Sequence, residues 1–189
     1  DEAEKFGLTV ERLQKEAVQQ LEPNVELNVA GAVLFKDDCH FNPGKMMAAL
    51  KKYKEKKNVR FQLNTTVTGF EKANNKISAV ITDKGKFNTE EIVLSPGSWL
   101  PALAKMMGIS LLLQPGKGYS HTYAQVEKNI RYPAILVDGR CAVTPWGQSL
   151  RIGGTMELSG INQHILINRM QGIYDSATQF YPGLKIDFP

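Results

Sequence analysis

Residues 65–94 read TTVTGFEKANNKISAVITDKGKFNTEEIVL. Apolar runs at Val67–Phe70, Ile77–Thr82 and Ile92–Leu94 alternate here with polar clusters, and Phe87 stands between the last two runs. Asn74-Asn75 and Asp83-Lys84-Gly85-Lys86 carry residue types that tolerate tight reversals. Turns at that spacing predict an antiparallel meander of short strands. Leu94 then enters Ser95-Pro96-Gly97-Ser98, a break before a helix predicted from Trp99 to Met107 and ended by Gly108.

Toward the N-terminus, Val10, Leu13, Ala17 and Leu21 recur at helical spacing behind Thr9, a capable N-cap. A helix is predicted there, stopped by Glu22-Pro23. Residues 25–35 read as extended, with Val25, Leu27 and Val29 alternating. Asn42-Pro43 starts a second helix, with Met46, Met47, Ala49, Leu50 and Tyr53 as its expected buried side. Val59–Leu63 then alternates as a strand.

Toward the C-terminus, Leu111–Leu113, Gly118–Ala124, Ala134–Val137, Cys141–Thr144 and Leu150–Thr155 read as successive strands. Asp138-Gly139 and Trp146-Gly147 supply hairpin turns. Asn162 is the expected cap of a last helix carrying Ile165, Ile173, Ala177 and Phe180. The fold class is therefore α+β: a helix–strand–meander unit followed by a mixed or antiparallel sheet backed by helices.

With 42% hydrophobic and 22% charged residues in 189, the composition is globular rather than disordered or fibrous. No run approaches the roughly 18–20 apolar residues that span a bilayer. The polar start, Asp1-Glu2-Ala3-Glu4-Lys5, is unlike a signal or transit peptide, and the missing initial Met suggests a piece of a longer chain. The net charge of +4 owes much to Lys51, Lys52, Lys54, Lys56 and Lys57. A basic run lacking aromatic stacking partners reads as the solvated C-terminal end of a helix, so no nucleic-acid partner is expected. Cys39 and Cys141 are far apart without a CxxC, which suits a reduced, cytoplasmic protein.

Self-sufficient chemical motifs are missing. Gly116-Lys117-Gly118-Tyr119-Ser120-His121 is the nearest approach to GxGxxG, but it fails at the last position and leads into a strand. Asp37, Asp38, Cys39 and His40 are adjacent, so an extended backbone would send them to opposite faces, and no metal site is expected. Ser98 after Gly97 lacks the GxSxG frame of a nucleophile elbow. Glycines 97, 153 and 154 suit either close packing or backbone approach to a ligand.

Four stretches, in order, carry a family resemblance: Phe41-Asn42-Pro43-Gly44 before a helix; Asn58–Val67, NVRFQLNTTV; Ile92–Leu100, IVLSPGSWL; and Leu113–Thr122, LQPGKGYSHT, followed by Leu150–Glu157, LRIGGTME. Together they resemble FAD-dependent oxidoreductases of the D-amino-acid oxidase superfamily, nearest to D-amino-acid dehydrogenase small subunits, then glycine and sarcosine oxidases. The family's N-terminal glycine-rich phosphate loop and C-terminal GxRPxxxDxxPxIG segment have no counterpart here, and Pro96 replaces its usual small residue. The resemblance thus implies the middle of a flavoenzyme. Residues 1–40 would belong to the substrate domain, 41–110 to part of the FAD-binding domain with its meander, and 111–189 to the substrate-binding domain.

It further implies a protein that oxidises D-amino acids or related amines to imino acids, with a peripheral inner-membrane or quinone link among its associations. Val67, Gly97 and Ser98 would lie against FAD, and Tyr119, Trp146 and Thr155 would face the substrate. The isolated chain is expected to be inactive and not to hold FAD tightly. The competing expectation is a self-contained small-ligand-binding domain without redox activity. Catalytic side chains, oligomeric state and the particular amine stay open.

Overall fold

A computed structural model describes residues 2–74 and 76–189, so Asp1 of the polar start and Asn75 of the first expected turn lie outside the described residues. In chain order the elements begin with α1 (Glu2–Lys5), β1 (Val10–Gln14), α2 (Lys15–Leu21), β2 (Gly31–Phe35) and α3 (Pro43–Glu55). The meander follows as β3 (Val67–Ala73), β4 (Lys76–Thr82) and β5 (Gly85–Asn88). A 3-10 turn at Gly97–Trp99 leads into α4 (Leu100–Met106). Last come β6 (Lys117–Tyr123), β7 (Ala134–Leu136), β8 (Cys141–Trp146), β9 (Ser149–Glu157) and α5 (Ile167–Phe180).

The elements fall into two compact units, residues 1–46, 117–157 and 163–189 in the first and 47–116 with 158–162 in the second. The first unit is built on an antiparallel sheet of order β6-β9-β8-β7. Partners across a ladder share a face. One face therefore carries Tyr119, Cys141 and Leu136, then His121, Ile152, Val143 and Ala134, then Leu150 and Pro145. Of these, Tyr119, Leu136, Cys141, Val143, Leu150 and Ile152 form the core with Ile173 and Ala177 of α5 and with Val25, Leu27, Tyr181 and Leu184. Gly154 is required where β9 passes β8: a Cβ there would stand 2.6 Å from the Arg140 carbonyl oxygen.

Beneath this core lies Glu22, a buried carboxylate at the end of α2. Its oxygens accept the backbone N–H of Arg131 at 2.7 and 3.0 Å and that of Tyr132 at 2.6 Å. Burial raises its carboxyl above the usual value, against the opposing pull of these two N–H groups and the Arg131 charge. Gln19 ties the same corner, donating to the carbonyls of Glu22 and Val25 and accepting from the Leu27 N–H.

The second unit holds the expected meander, antiparallel in the order β3-β4-β5. Its buried side chains, among the described residues, are Ala79 and Ala104. Gly108 ends α4 with φ +83°, as its position predicts.

Several expected elements take other forms. Residues 10–14 are not the start of a helix but a strand, paired from Val10↔Phe35 to Gln14↔Gly31. The helix begins only at Lys15, because the ladder captures the backbone donors that a helix would use. Asn42 does cap α3, its Oδ1 accepting the Lys45 N–H at 3.1 Å. The expected buried side of α3 is exposed, Met47 being 60% accessible, since no described element packs on it. Val59–Leu63, Ile92–Leu94 and Leu111–Leu113 alternate or run apolar yet join no ladder. A strand needs a partner, and none is in register with them here. Asn162 does not cap α5, which starts at Ile167 behind Leu166 and leaves Ile165 exposed.

Candidate functional site

The alternation of β6, β9 and β8 leaves one sheet face of the first unit uncovered. It carries a row of small residues, Ser120, Gly153 and Ala142, next to Ile135. The neighbouring row is Thr122, Arg151 and Thr144. Arg151 reaches diagonally to the neighbouring strand β6, so that Nε and Nη2 donate to Ser120 Oγ at 3.3 and 2.8 Å. The centre of its guanidinium lies 5.9 Å from the Trp146 ring, within cation–π range. Trp146 Nε1 is itself buried with no acceptor among the described residues.

A second cluster forms where β9 bulges. Tyr119 pairs with Gly154 and Gly118 with Met156, so Thr155 is the extra residue. Its φ is +50°, a conformation unusual for a β-branched side chain. Thr155 Oγ1 accepts from Arg169 Nη1 at 2.7 Å, which fixes the bulge to α5. Tyr119 points to the covered face and is buried; its hydroxyl donates to Glu157 Oε2. Lys117 Nζ is 3.4 Å from the same carboxylate oxygen, and Lys117 and Arg169 flank the Tyr119 ring.

The residues named from sequence are thus distributed. Tyr119 and Thr155 come together at the bulge, while Trp146 lies at the far end of the β8–β9 hairpin beside Arg151. Val67, Gly97 and Ser98 belong to the second unit. Val67 opens β3 half-buried. Gly97 begins the 3-10 turn at φ +60°, and a Cβ on it would meet nothing within 4 Å, so its backbone is open to approach. Ser98 is half-buried in that turn. Sequence reasoning missed Arg151, whose significance depends on which parity of β9 remains uncovered.

A separate cleft of about 480 Å³ opens in the first unit between Asn24, His40, Asn129, Arg131, Pro145 and Gln148. None of the residues named from sequence for substrate or cofactor lines it; His40 does, its Nε2 3.0 Å from the Pro145 oxygen.

The two cysteines differ sharply in environment. Cys39 is exposed, whereas Cys141 is buried and its thiol is pushed up to about 11 by that burial. Because the thiolate is the reactive form, iodoacetamide at pH 8 is expected to label Cys39 and spare Cys141 in the folded chain. Peptide mass spectrometry with and without denaturant checks this.

The family model described as FAD dependent oxidoreductase matches residues 1–188, and the chain belongs to that family. Among similar proteins, the D-amino acid dehydrogenase of Rhizobium johnstonii is 29% identical over 182 residues, which cover 94% of this chain and 44% of that protein. The D-amino acid dehydrogenase of Helicobacter pylori is 35% identical over 141 residues, covering 74% of this chain and 34% of that one. The chain therefore spans less than half the length of these relatives. Glycine oxidase from Bacillus cereus shares the fold at a TM-score of 0.83 and 23% identity, covering 98% of this chain and 52% of that structure. L-Proline dehydrogenase from P. horikoshii does so at 0.82 and 19%, covering 95% and 50%. The α+β architecture with antiparallel sheets is the one these neighbours share. No helix among the described residues is long and apolar enough to cross a membrane.

Proposed function

We propose that these residues are the central part of a longer FAD-dependent dehydrogenase acting on D-amino acids or related amines. The family match over residues 1–188 carries this reading. The first unit serves as substrate domain and the second as part of the FAD-binding domain. That assignment accounts for a second unit whose buried side chains, among the described residues, are two alanines while Met47, Phe61, Leu63, Val93 and Leu112 are exposed. The rest of the protein would cover those side chains and supply ladder partners for residues 59–63 and 92–94.

FAD would accept a hydride from the amine-bearing carbon when bound. Gly97, with no side chain and room around its backbone, suits contact with a planar ring, and Val67 and Ser98 would flank it. The phosphates need a run of N–H donors at a helix start. Gly116–His121 leads into β6 rather than a helix, so the phosphate contacts would come from elsewhere in the full protein. The open sheet face, with Trp146 at one end and the strained Thr155 near the other, is the surface on which the substrate would lie. Tyr119 would act from behind, holding Glu157 and the bulge.

The protein from the complete reading frame is expected to be yellow, and D-amino acids added without oxygen should bleach its flavin absorbance. A colourless full-length protein overturns the reading. The 189-residue chain alone should not bind FAD at micromolar concentration in calorimetry. Such binding would argue instead for a self-contained module.

A further inference from the structure

We propose that Arg169 is a positioning residue. By bonding the bulge of β9 from α5, it selects the strand register that presents Met156 on the open sheet face. The assignment rests on the function proposed above, in which substrate lies on that face. Two registers compete here. In the folded chain Tyr119 pairs with Gly154 and Gly118 with Met156, so Thr155 has no partner of its own. In a regular ladder Gly118 would face Thr155, and Lys117 would face Met156. Met156 would then pass to the covered face, and Glu157, which accepts the Tyr119 hydroxyl there, would pass to the open one. The bulge therefore decides whether the open face shows a thioether or a carboxylate at this end.

The bulged register needs outside support. Thr155 sits at φ +50°, which crowds a β-branched side chain and persists only where its surroundings enforce it. Arg169 enforces it at two places. Its Nη1 donates to Thr155 Oγ1 at 2.7 Å and to the Met156 carbonyl oxygen at 3.2 Å. In regular pairing Thr155 would point to the open face, away from α5, and the first of these bonds would be lost. Arg169 is itself well placed to hold on. It lies in the first turn of α5, a helix anchored in the core by Ile173 and Ala177, and its guanidinium is 5.9 Å from the Tyr119 ring. On the open face Met156 has room. It is 63% accessible, and a Cβ added to Gly118 opposite would meet nothing within 4 Å. An unbranched thioether with that freedom adapts to the side chain of a bound amino acid.

The test uses the full-length holoprotein and two readouts. In the first, Met156→Cys in a Cys39→Ser background is labelled with iodoacetamide and followed by peptide mass spectrometry. The introduced thiol should label several-fold more slowly once Arg169→Met is added, because that position can then turn to the covered face. Thr155→Val, which keeps the shape and removes the acceptor, should copy Arg169→Met and serves in its place should that variant not fold. Thr155→Asn added to Arg169→Met should restore labelling, since Asn enters positive φ unaided. In the second, turnover is measured with an artificial electron acceptor. For D-leucine, KM should rise roughly tenfold in Arg169→Met, the scale of a lost apolar contact, with kcat within about twofold of wild type. For D-alanine, whose methyl is too short to profit from Met156, KM should hold. Arg169→Lys should recover part of the loss. Unchanged labelling in Arg169→Met, a defect that Thr155→Asn does not relieve, or an equal rise in KM for both substrates overturns the assignment. A wild type whose flavin no D-amino acid reduces overturns the proposed function and the substrate role of Met156 with it, and labelling then decides the hold on the register by itself.

Discussion

Leu150→Ala is expected to cost about 2–5 kcal/mol of unfolding free energy, the range for truncating a buried leucine that its surroundings cannot refill. Leu150 is fully buried, on the covered face of the four-stranded sheet near the β8–β9 hairpin. Its ladder partners are Tyr123 on one side and Pro145 on the other, both on strands whose backbones are fixed by further pairing. Collapse into the cavity would require β6 or β8 to move as a whole, so little relaxation is available. The measurement is denaturant unfolding followed by Trp146 fluorescence in a Trp99→Phe background, because Trp146 belongs to the first unit and Trp99 to the second. Leu112→Ala, at a fully exposed position, serves as the control and should leave the midpoint unchanged. An equal response from the two variants would mean that the core is misplaced.

Glu22→Ala should also be damaging, at about 1–3 kcal/mol, because it leaves the part-buried backbone N–H groups of Arg131 and Tyr132 without their acceptor. The sign of the accompanying pH dependence is less usual. Burial raises the Glu22 carboxyl above 4.5, so the folded chain holds this proton more tightly than the unfolded chain does. The stabilising contribution is therefore fully present below pH 4.5 and is lost as pH rises through the folded value. Most structural carboxylates behave in the opposite way. Glu22→Gln, which cannot ionise, should flatten that fall when wild type and variant are compared across mildly acidic pH. A wild-type contribution that rises over the same interval would overturn the account.

Much of the first unit could be read directly because its determinants are local. Asp138-Gly139 and Trp146-Gly147 set two hairpins, and the apolar runs that follow them marked β8 and β9 as strands. The N-terminal misreading has a different origin. Val10, Leu13, Ala17 and Leu21 fit a helix by spacing alone, but Val10–Gln14 pairs with residues 17 to 25 positions away, and such pairing leaves no trace in local period. The same principle explains Val59–Leu63, which has a strand's alternation without a ladder.

For the site, local pattern placed Tyr119 on a strand at Gly118–Ala124. It could not tell which face α5 would cover, and that choice buries Tyr119 and leaves Arg151 open. Glu22 was equally hidden. Before Pro23 it read as the end of a helix, and its partners lie more than a hundred residues away.

The first unit also has a timetable. Its core joins Val25 and Leu27 to Leu136, Ile152, Ile173 and Leu184, while residues 47–116 are spent elsewhere. During synthesis, the N-terminal apolar side chains must wait for most of the chain to leave the ribosome before their partners exist. Closing so long a loop adds little to the equilibrium cost, since loop entropy grows only logarithmically. It does slow the search, because contacts between distant residues come late in folding. Throughout that wait Val25 and Leu27 are open to the wrong neighbours, so the yield of folded protein will depend on translation rate and chaperone supply as well as on final stability.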